Sequence, residues 1–289
     1  GEDAEKYTTT RDIISYGITK ENEAGRATEN GGVHLSFQHI SEDDLREAFG
    51  PVIDKLARNG IDLTKRTVEV SPIAHYHMGG IRVNGQMETG IPGLYGAGEA
   101  VGGANGANRL SGNAIPEAFV FGERAGKFAA DYARGRNRTW SGAAAGEHLD
   151  RLNNLIGRQS DANGEKAALG EMWAELQKLM WNKVGVLRTG SKLTAALKRI
   201  GDLRAQLDDI SPAGDTEFNM TLQDWYDLRS ALLTAESVAL AAINRTESRG
   251  AHQREDFEEM DSAQTHNQRL RLDDHGDLVS DYLPVGAAS

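Results

Sequence analysis

Glycine crowds the stretch from Gly79 to Gly126, and that crowding constrains the chain more than any other feature. A residue without a Cβ reaches backbone conformations closed to the others and lets another backbone or a ligand come close. The stretch therefore reads as tight turns and close backbone approaches. The surrounding sequence is ordinary for a globular protein, with 39% hydrophobic and 26% charged residues. A length of 289 residues suggests about two domains.

Charge and cysteine usage remove whole classes of function. The formal net charge is −11, and nucleic-acid partners call for a basic surface. A small anionic ligand stays open, because a pocket can be positive on a negative protein. The chain has no Cys, which excludes disulfides, thiol nucleophiles, iron–sulfur ligation and cysteine zinc sites. That usage fits a reducing compartment. No run of ~18 apolar residues is present, so no membrane-spanning helix is expected, and no signal peptide is visible. The opening "GEDAEKYTTTRD" lacks Met and reads as an interior start.

Periodicity predicts an α+β chain. Ile13, Ile14 and Ile18 have the spacing of a helix face. Gly31–Phe37 alternates like a strand. Ser41 is a candidate N-cap for a helix that stops at Gly60 and is split around Gly50–Pro51. "TVEVSPIA" and "GIRVN" read as short strands, Asn84–Gly85–Gln86 as a tight hairpin turn, and Gly93–Ala100 as a small-residue strand ending on an acid. Gly112–Ala133 reads as a long helix with Ile115, Phe119, Gly122, Ala125 and Gly126 on one face, and Pro116 near its first turn. Arg134–Gly146 is a polar, small-residue linker. Three amphipathic segments follow, through Trp173–Leu187, Leu193–Leu207 and Leu222–Ala239, which predict a three-helix bundle. The two runs around "DDHGD" predict a hairpin.

Four constellations could carry chemistry. Glu99 ends a small-residue run and precedes a Gly-rich loop and a helix start, an arrangement that holds sugar-like hydroxyls and anions. A solvated Glu in a turn is the alternative. Arg109 lies in "GANGANRLSGN", where a bidentate carboxylate binder would have room; a surface charge is the alternative. His75 and His77 in "PIAHYHMGGIRV" are two apart, facing one side if the segment is a strand. No third metal ligand stands near with suitable spacing, so an anion-binding histidine competes with a satisfied core histidine. Arg11 beside Asp12 reads alone as a salt bridge or a helix start.

Together these motifs resemble a known family. "PIAHYHMGGIRVNGQMETGIPGLYGAGEAVGGANGANRLSGNAIPEAFVFGERAG" is similar to the C-terminal FAD-binding segment of fumarate reductase and succinate dehydrogenase flavoproteins, a superfamily that includes L-aspartate oxidase. "GDTEFNMTLQDWYDLRSALLTAES" and "NRTESRGAHQRED" resemble that family's helical domain. The resemblance implies FAD as cofactor and a dicarboxylate, fumarate or succinate, as substrate. It implies Arg11 as the proton-delivering acid, and His75 and Arg109 as carboxylate binders. Glu99 would hold the ribityl hydroxyls. Tyr76 and Gly79 would line the cofactor, and the backbone at Ala114 and Ile115 would meet the flavin's pyrimidine edge. No metal is implied in this chain.

The family's dinucleotide fingerprint and its covalent-flavin histidine are absent here. Asn105 stands where relatives often have His, and Ser111 where Gly is frequent. The chain is therefore expected to be a C-terminal portion. It would comprise a partial capping domain (1–70), the returning segment of an FAD-binding domain (71–140), a three-helix bundle (147–248) and a tail with a hairpin (249–289). The expected partners are the N-terminal FAD-binding part of the same protein and an iron–sulfur or other electron-transfer subunit. The expected location is the cytoplasm, with peripheral attachment to the membrane's inner face through partners. The alternatives are an L-aspartate oxidase-like or other dicarboxylate flavoenzyme and, for the isolated chain, an inactive folding or association module.

Overall fold

The computed structural model describes residues 11–136, 142–156, 162–212 and 217–286. The chain divides into two compact units, Gly1–His75 and Tyr76–Ser289.

The first unit contains helix α1 (Arg11–Glu23), strand β1 (Val33–Leu35), helix α2 (Glu42–Ala57) and strand β2 (Val68–Val70). β1 and β2 pair antiparallel, with Val33 opposite Val70 and Leu35 opposite Val68. Ser41 caps α2 as expected, its side chain accepting from the Asp44 N–H, and Glu42, Asp43 and Asp44 place negative charge where the helix dipole favours it. Pro51 lies inside the helix, and the backbone leaves helical geometry at Phe49, because proline supplies no N–H and its ring disturbs the preceding turn. Leu45, Ile53 and Leu63 form a small core backed by Phe37, Ile40, Leu56, Ile61 and Val68. On α1 only Ile18 of the three expected apolar positions is buried; Ile13 and Ile14 are exposed.

The second unit begins with a glycine-rich region in which the two strands expected from sequence do not form. Single bridges pair Ile81 with Val101 and Glu88 with Tyr95. Gly93, Gly98 and Gly103 take positive φ, and each such residue bends the chain before an extended run can propagate. A short 3₁₀ turn, Gly98–Ala100, replaces the end of the second strand. At Asn84 the chain does turn tightly: the Met87 N–H donates to the Asn84 carbonyl and the Asn84 N–H to that of Glu88. The positive φ falls on Met87, which makes this a three-residue connection instead of the two-residue turn that Asn-Gly suggests.

Helix α3 (Ala114–Arg134) follows, then α4 (Gly142–Ile156), which occupies part of the expected linker. Residues 137–141 of that linker lie outside the described residues. Helices α5 (Ala162–Val184), α6 (Gly190–Asp209) and α7 (Met220–Asn244) pack on one another. Their shared core includes Leu169, Met172 and Leu176 from α5, Leu193, Ile200 and Leu203 from α6, and Trp225, Leu228 and Leu232 from α7. The 3.6-residue period brings these side chains onto one face of each helix. The Trp225 indole N–H donates to the Leu207 carbonyl at 3.1 Å, so the buried ring keeps its polar atom satisfied. Strands β3 (His266–Leu272) and β4 (Leu278–Pro284) form the expected antiparallel hairpin. Its turn is held by Asp273 Oδ1, which accepts from the N–H groups of His275 and Asp277.

Candidate functional site

The glycine-rich region of the second unit gathers its polar side chains at the start of α3. Gly80 and Gly102 press two backbone segments together. A Cβ on Gly80 would lie 2.6 Å from the Ala100 carbonyl oxygen, and one on Gly102 would lie 2.8 Å from the Gly80 nitrogen. The Ile81 N–H donates to Ala100 O at 2.9 Å, and the Gly102 N–H to Ile81 O at 3.1 Å. The close approach at Gly80 is thus to the protein's own backbone. At Gly79 a Cβ would meet only the His77 ring. Glu99 is exposed on the 3₁₀ turn, and its Oε1 accepts the His77 N–H at 2.8 Å, which fixes the side chain and leaves Oε2 for another donor.

Glu117 is the centre of a network that the sequence does not announce. It is buried in the first turn of α3. Its Oε2 accepts from the Tyr76 hydroxyl at 2.5 Å and from Asn105 Nδ2 at 2.7 Å, while Oε1 is buried with no partner among the described residues. The hydrogen bond to Glu117 raises the Tyr76 pKa above the phenol's ordinary value. Desolvation and the charges of Glu117 and Glu99 add to that rise, against the opposing effect of Arg109. Tyr76 therefore remains a donor across the physiological range. Over its ring lies the Arg109 guanidinium, 4.3 Å from the centroid, a cation–π contact. Arg109 Nη1 donates to the Leu110 carbonyl at 3.0 Å, and its buried Nε has no partner among the described residues.

At the N-terminus of α3, Asn113 stands at the cap position without a side-chain bond to the first turn. Pro116 brings no N–H, so the Ala114 and Ile115 N–H groups are the ones the helix start can offer a ligand. The helix face carrying Ile115 and Phe119 is exposed, at 67% and 75%, so the apolar stripe expected from sequence is not covered within this unit.

The structure thus brings Tyr76, Glu99, Arg109 and the Ala114–Ile115 helix start into one unit, together with Gly79. Arg11 and His75 belong to the other unit. Arg11 is the first residue of α1, and its side chain lies outside the described residues. His75 is exposed in the irregular stretch after β2, where no strand aligns it with His77. The sequence carries only weak signals for the residues it does not announce. Glu117 is an acid in a helix's first turn beside apolar neighbours, and Asn105 is a polar side chain in a loop of glycine and alanine. Among the described residues no group of three or more His, Asp or Glu is arranged to hold a metal ion, and no helix is long and apolar enough to cross a membrane.

Comparison with known proteins places these features. Residues 1–115 match the family model "FAD binding domain", and residues 173–287 match "Fumarate reductase flavoprotein C-term". A chain of the fumarate reductase (CoM/CoB) of Methanothermobacter marburgensis is 36% identical over 250 residues, covering 86% of this chain and 45% of that protein. The L-aspartate oxidase of Acinetobacter baylyi is 32% identical over 235 residues, covering 79% of this chain and 40% of that protein. A solved E. coli quinol fumarate reductase chain superposes with a TM-score of 0.81 at 30% identity, over 95% of this chain and 48% of its own length. The chain spans about half the length of the curated relatives it matches. The donor set fits FAD: a carboxylate with one oxygen to spare, a glycine whose missing Cβ would meet only the His77 ring, and a helix start without a side-chain cap. The chain belongs to the flavoprotein family of fumarate reductases and succinate dehydrogenases, whose cofactor is FAD.

Proposed function

We propose that these residues serve a flavoenzyme that interconverts fumarate and succinate. The observation that carries the reading is the support built beneath Arg109. Its guanidinium lies on the Tyr76 ring, the Tyr76 hydroxyl is tied to buried Glu117, and its Nε remains unpartnered among the described residues. A cation held this way is preorganised to accept a carboxylate without reorganising when the ligand arrives.

In this reading Glu99 Oε2 accepts from the cofactor's ribityl hydroxyls. Tyr76 and Gly79 would line the cofactor, and the Ala114 and Ile115 N–H groups would be donors to its flavin ring. FAD, when bound, supplies the hydride donor and acceptor. Arg109 and His75 bind one carboxylate of the dicarboxylate and stabilise the negative charge that builds there as the alkene is reduced. Arg11 gives a proton to the alkene carbon that does not receive the hydride, so one hydride and one proton convert fumarate to succinate. A guanidinium is permanently charged under ordinary conditions, so Arg11 must be reprotonated at once through a relay.

Several relatives are named as subunits, which supports an electron-carrying partner polypeptide, an iron–sulfur protein being the natural type. Peripheral attachment to the inner face of the cytoplasmic membrane would follow from such partners. The half-length coverage supports a further expectation, that the 289-residue chain alone is colourless and inactive when purified with FAD. A stable yellow 1:1 complex that turns over fumarate would refute it.

In the protein that carries these residues, Arg109→Ala is expected to abolish turnover of fumarate and succinate while flavin stays bound. Near-normal kcat/KM would overturn the assignment. L-aspartate assayed alongside tests the other substrate named among the relatives.

A further inference from the structure

We infer that the segment from Arg245 to Asp256 positions the Arg109 loop, with Gly250 and Ala251 as the point of contact. The inference rests on the reading of Arg109 as the carboxylate-binding cation. The loop from Gly102 to Asn113 is too rich in small residues to hold its own place. At Gly103 and Gly106, both at positive φ, a Cβ would meet nothing within 4 Å. Its position must come from the groups that grip it. Two grips come from the glycine-rich region and the first turn of α3, Asn105 on Glu117 and Arg109 on Tyr76. The third comes from the far end of the helical bundle.

There the Ala251 N–H donates to the Ala107 carbonyl at 2.9 Å, two residues before Arg109. Gly250 lies beside that carbonyl at φ +57°, and a Cβ on it would stand 2.5 Å from Ala107 O and 2.7 Å from its carbon. Both conformation and space demand glycine here. Any side chain would push against backbone, which cannot rotate away.

The contact is stiff because the segment behind it is. Glu247 is fully buried and accepts from Arg245 Nη1 at 2.6 Å, from Arg249 Nε and Nη2 at 2.8 and 2.9 Å, and from the Asp261 N–H at 2.8 Å. Arg254, also buried, donates to the last carbonyls of α7, Ala242 at 3.1 Å and Ile243 at 3.3 Å, and to Arg245 O at 3.1 Å. It pairs with Asp256 through two bonds of 2.8 and 2.9 Å, and Asp256 accepts the Gly190 N–H at the start of α6 at 2.7 Å. A cation thus sits on the carbonyl end of one helix and an anion on the N–H end of another, each where the helix dipole favours it. The ends of two bundle helices set where residues 249–252 lie, and those residues set where Ala107, and with it Arg109, lies.

The test compares variants in the flavoprotein that carries these residues, with fumarate as substrate and malonate, a saturated dicarboxylate, as binding probe. Gly250→Ala is expected to raise the fumarate KM and the malonate Kd by about tenfold and to lower kcat as well, with flavin content kept, because a misplaced clamp loses both binding of the dicarboxylate and stabilisation of the charge that builds on it. Unchanged KM and Kd would overturn the inference. If Gly250→Ala does not fold, Arg249→Lys, which loosens the Glu247 knot without touching Ala107, carries the same expectation at about threefold, and unchanged constants in that folded variant would overturn it equally. Arg109→Ala run in parallel separates the two layers. If turnover survives there, the carboxylate reading fails; if turnover is lost there but KM is untouched in Gly250→Ala, only the positioning inference fails.

Discussion

The Tyr76 hydroxyl donates to the buried carboxylate of Glu117 at 2.5 Å, from a different part of the glycine-rich region onto the first turn of α3. That bond fixes the ring on which Arg109 rests. The cation that the sequence offers as a lone loop residue is therefore the top of a three-residue stack with a buried anion at its base.

Glu117→Gln keeps the shape of the side chain and one acceptor oxygen for Tyr76 and Asn105, but replaces charge-assisted bonds with neutral ones and puts an amide N–H₂ at the buried position where Oε1 has no partner among the described residues. The expected result is a loss of about tenfold in kcat/KM for fumarate, carried mainly by KM, with flavin content retained. Tyr76→Phe, which keeps the ring under Arg109, should lose less than Tyr76→Ala. Steady-state kinetics on the three variants checks the order, and equal losses for Phe and Ala would show that the ring does not support Arg109.

Glu99→Ala removes the carboxylate that the His77 N–H holds in place. In the proposed role its second oxygen binds ribityl hydroxyls, so flavin retention should fall through the loss of hydrogen bonds worth about 1–3 kcal/mol. Flavin-to-protein absorbance after gel filtration measures this, and an unchanged ratio would remove Glu99 from the cofactor site.

Stability should depend on pH through two groups in the 245–261 segment. Burial, and then the Arg188 guanidinium beside it, lower the His252 pKa from 6.5 to about 4. Arg188 can only donate, so Nδ1 accepts from it at 2.8 Å and Nε2 carries the proton toward Arg245 O at 3.2 Å. The unfolded chain takes up a proton between pH 6.5 and 4 that the folded one refuses. Stability is therefore full above about pH 6.5 and falls by at most about 3 kcal/mol toward pH 4, less for the part of the ring that water still reaches. Glu247 adds a second, more acidic limb. Burial raises its pKa, but the bonds from Arg249, the Asp261 N–H and Arg245 outweigh burial and hold it at about 2. Its contribution is present above about pH 4.5 and lost as the pH falls toward 2. Urea midpoints across this range in wild type and His252→Asn check the assignment: the variant should lose the limb between pH 6.5 and 4 and keep the lower one.

Much of the fold was legible because its signals are local. The Ser41 cap, the break near Pro51, the helix faces around Ile200 and Leu228 and the hairpin about Asp273 each depend on residues a few positions apart. The strands expected at 81–84 and 93–100 do not form for a reason equally local: glycines at positive φ cut short what alternation alone suggests. Within the candidate site, Arg109 and Glu99 announce themselves by residue type in a glycine-rich setting. Glu117 does not, because an acid in a helix's first turn looks like ordinary complement to the dipole until its burial is known.

By itself, the sequence determined the element types, the bundle and the flavoprotein resemblance, since these follow from periodicity, turn chemistry and the order of motifs. Only the tertiary structure decided what holds the functional loop. Tyr76, Asn105, Arg109 and Glu117 meet across intervening turns, and Gly250 meets Ala107 from the other end of the unit. A buried carboxylate must find donors and a loop without side chains must find supports, but which ones they find is settled by packing among residues far apart in the chain.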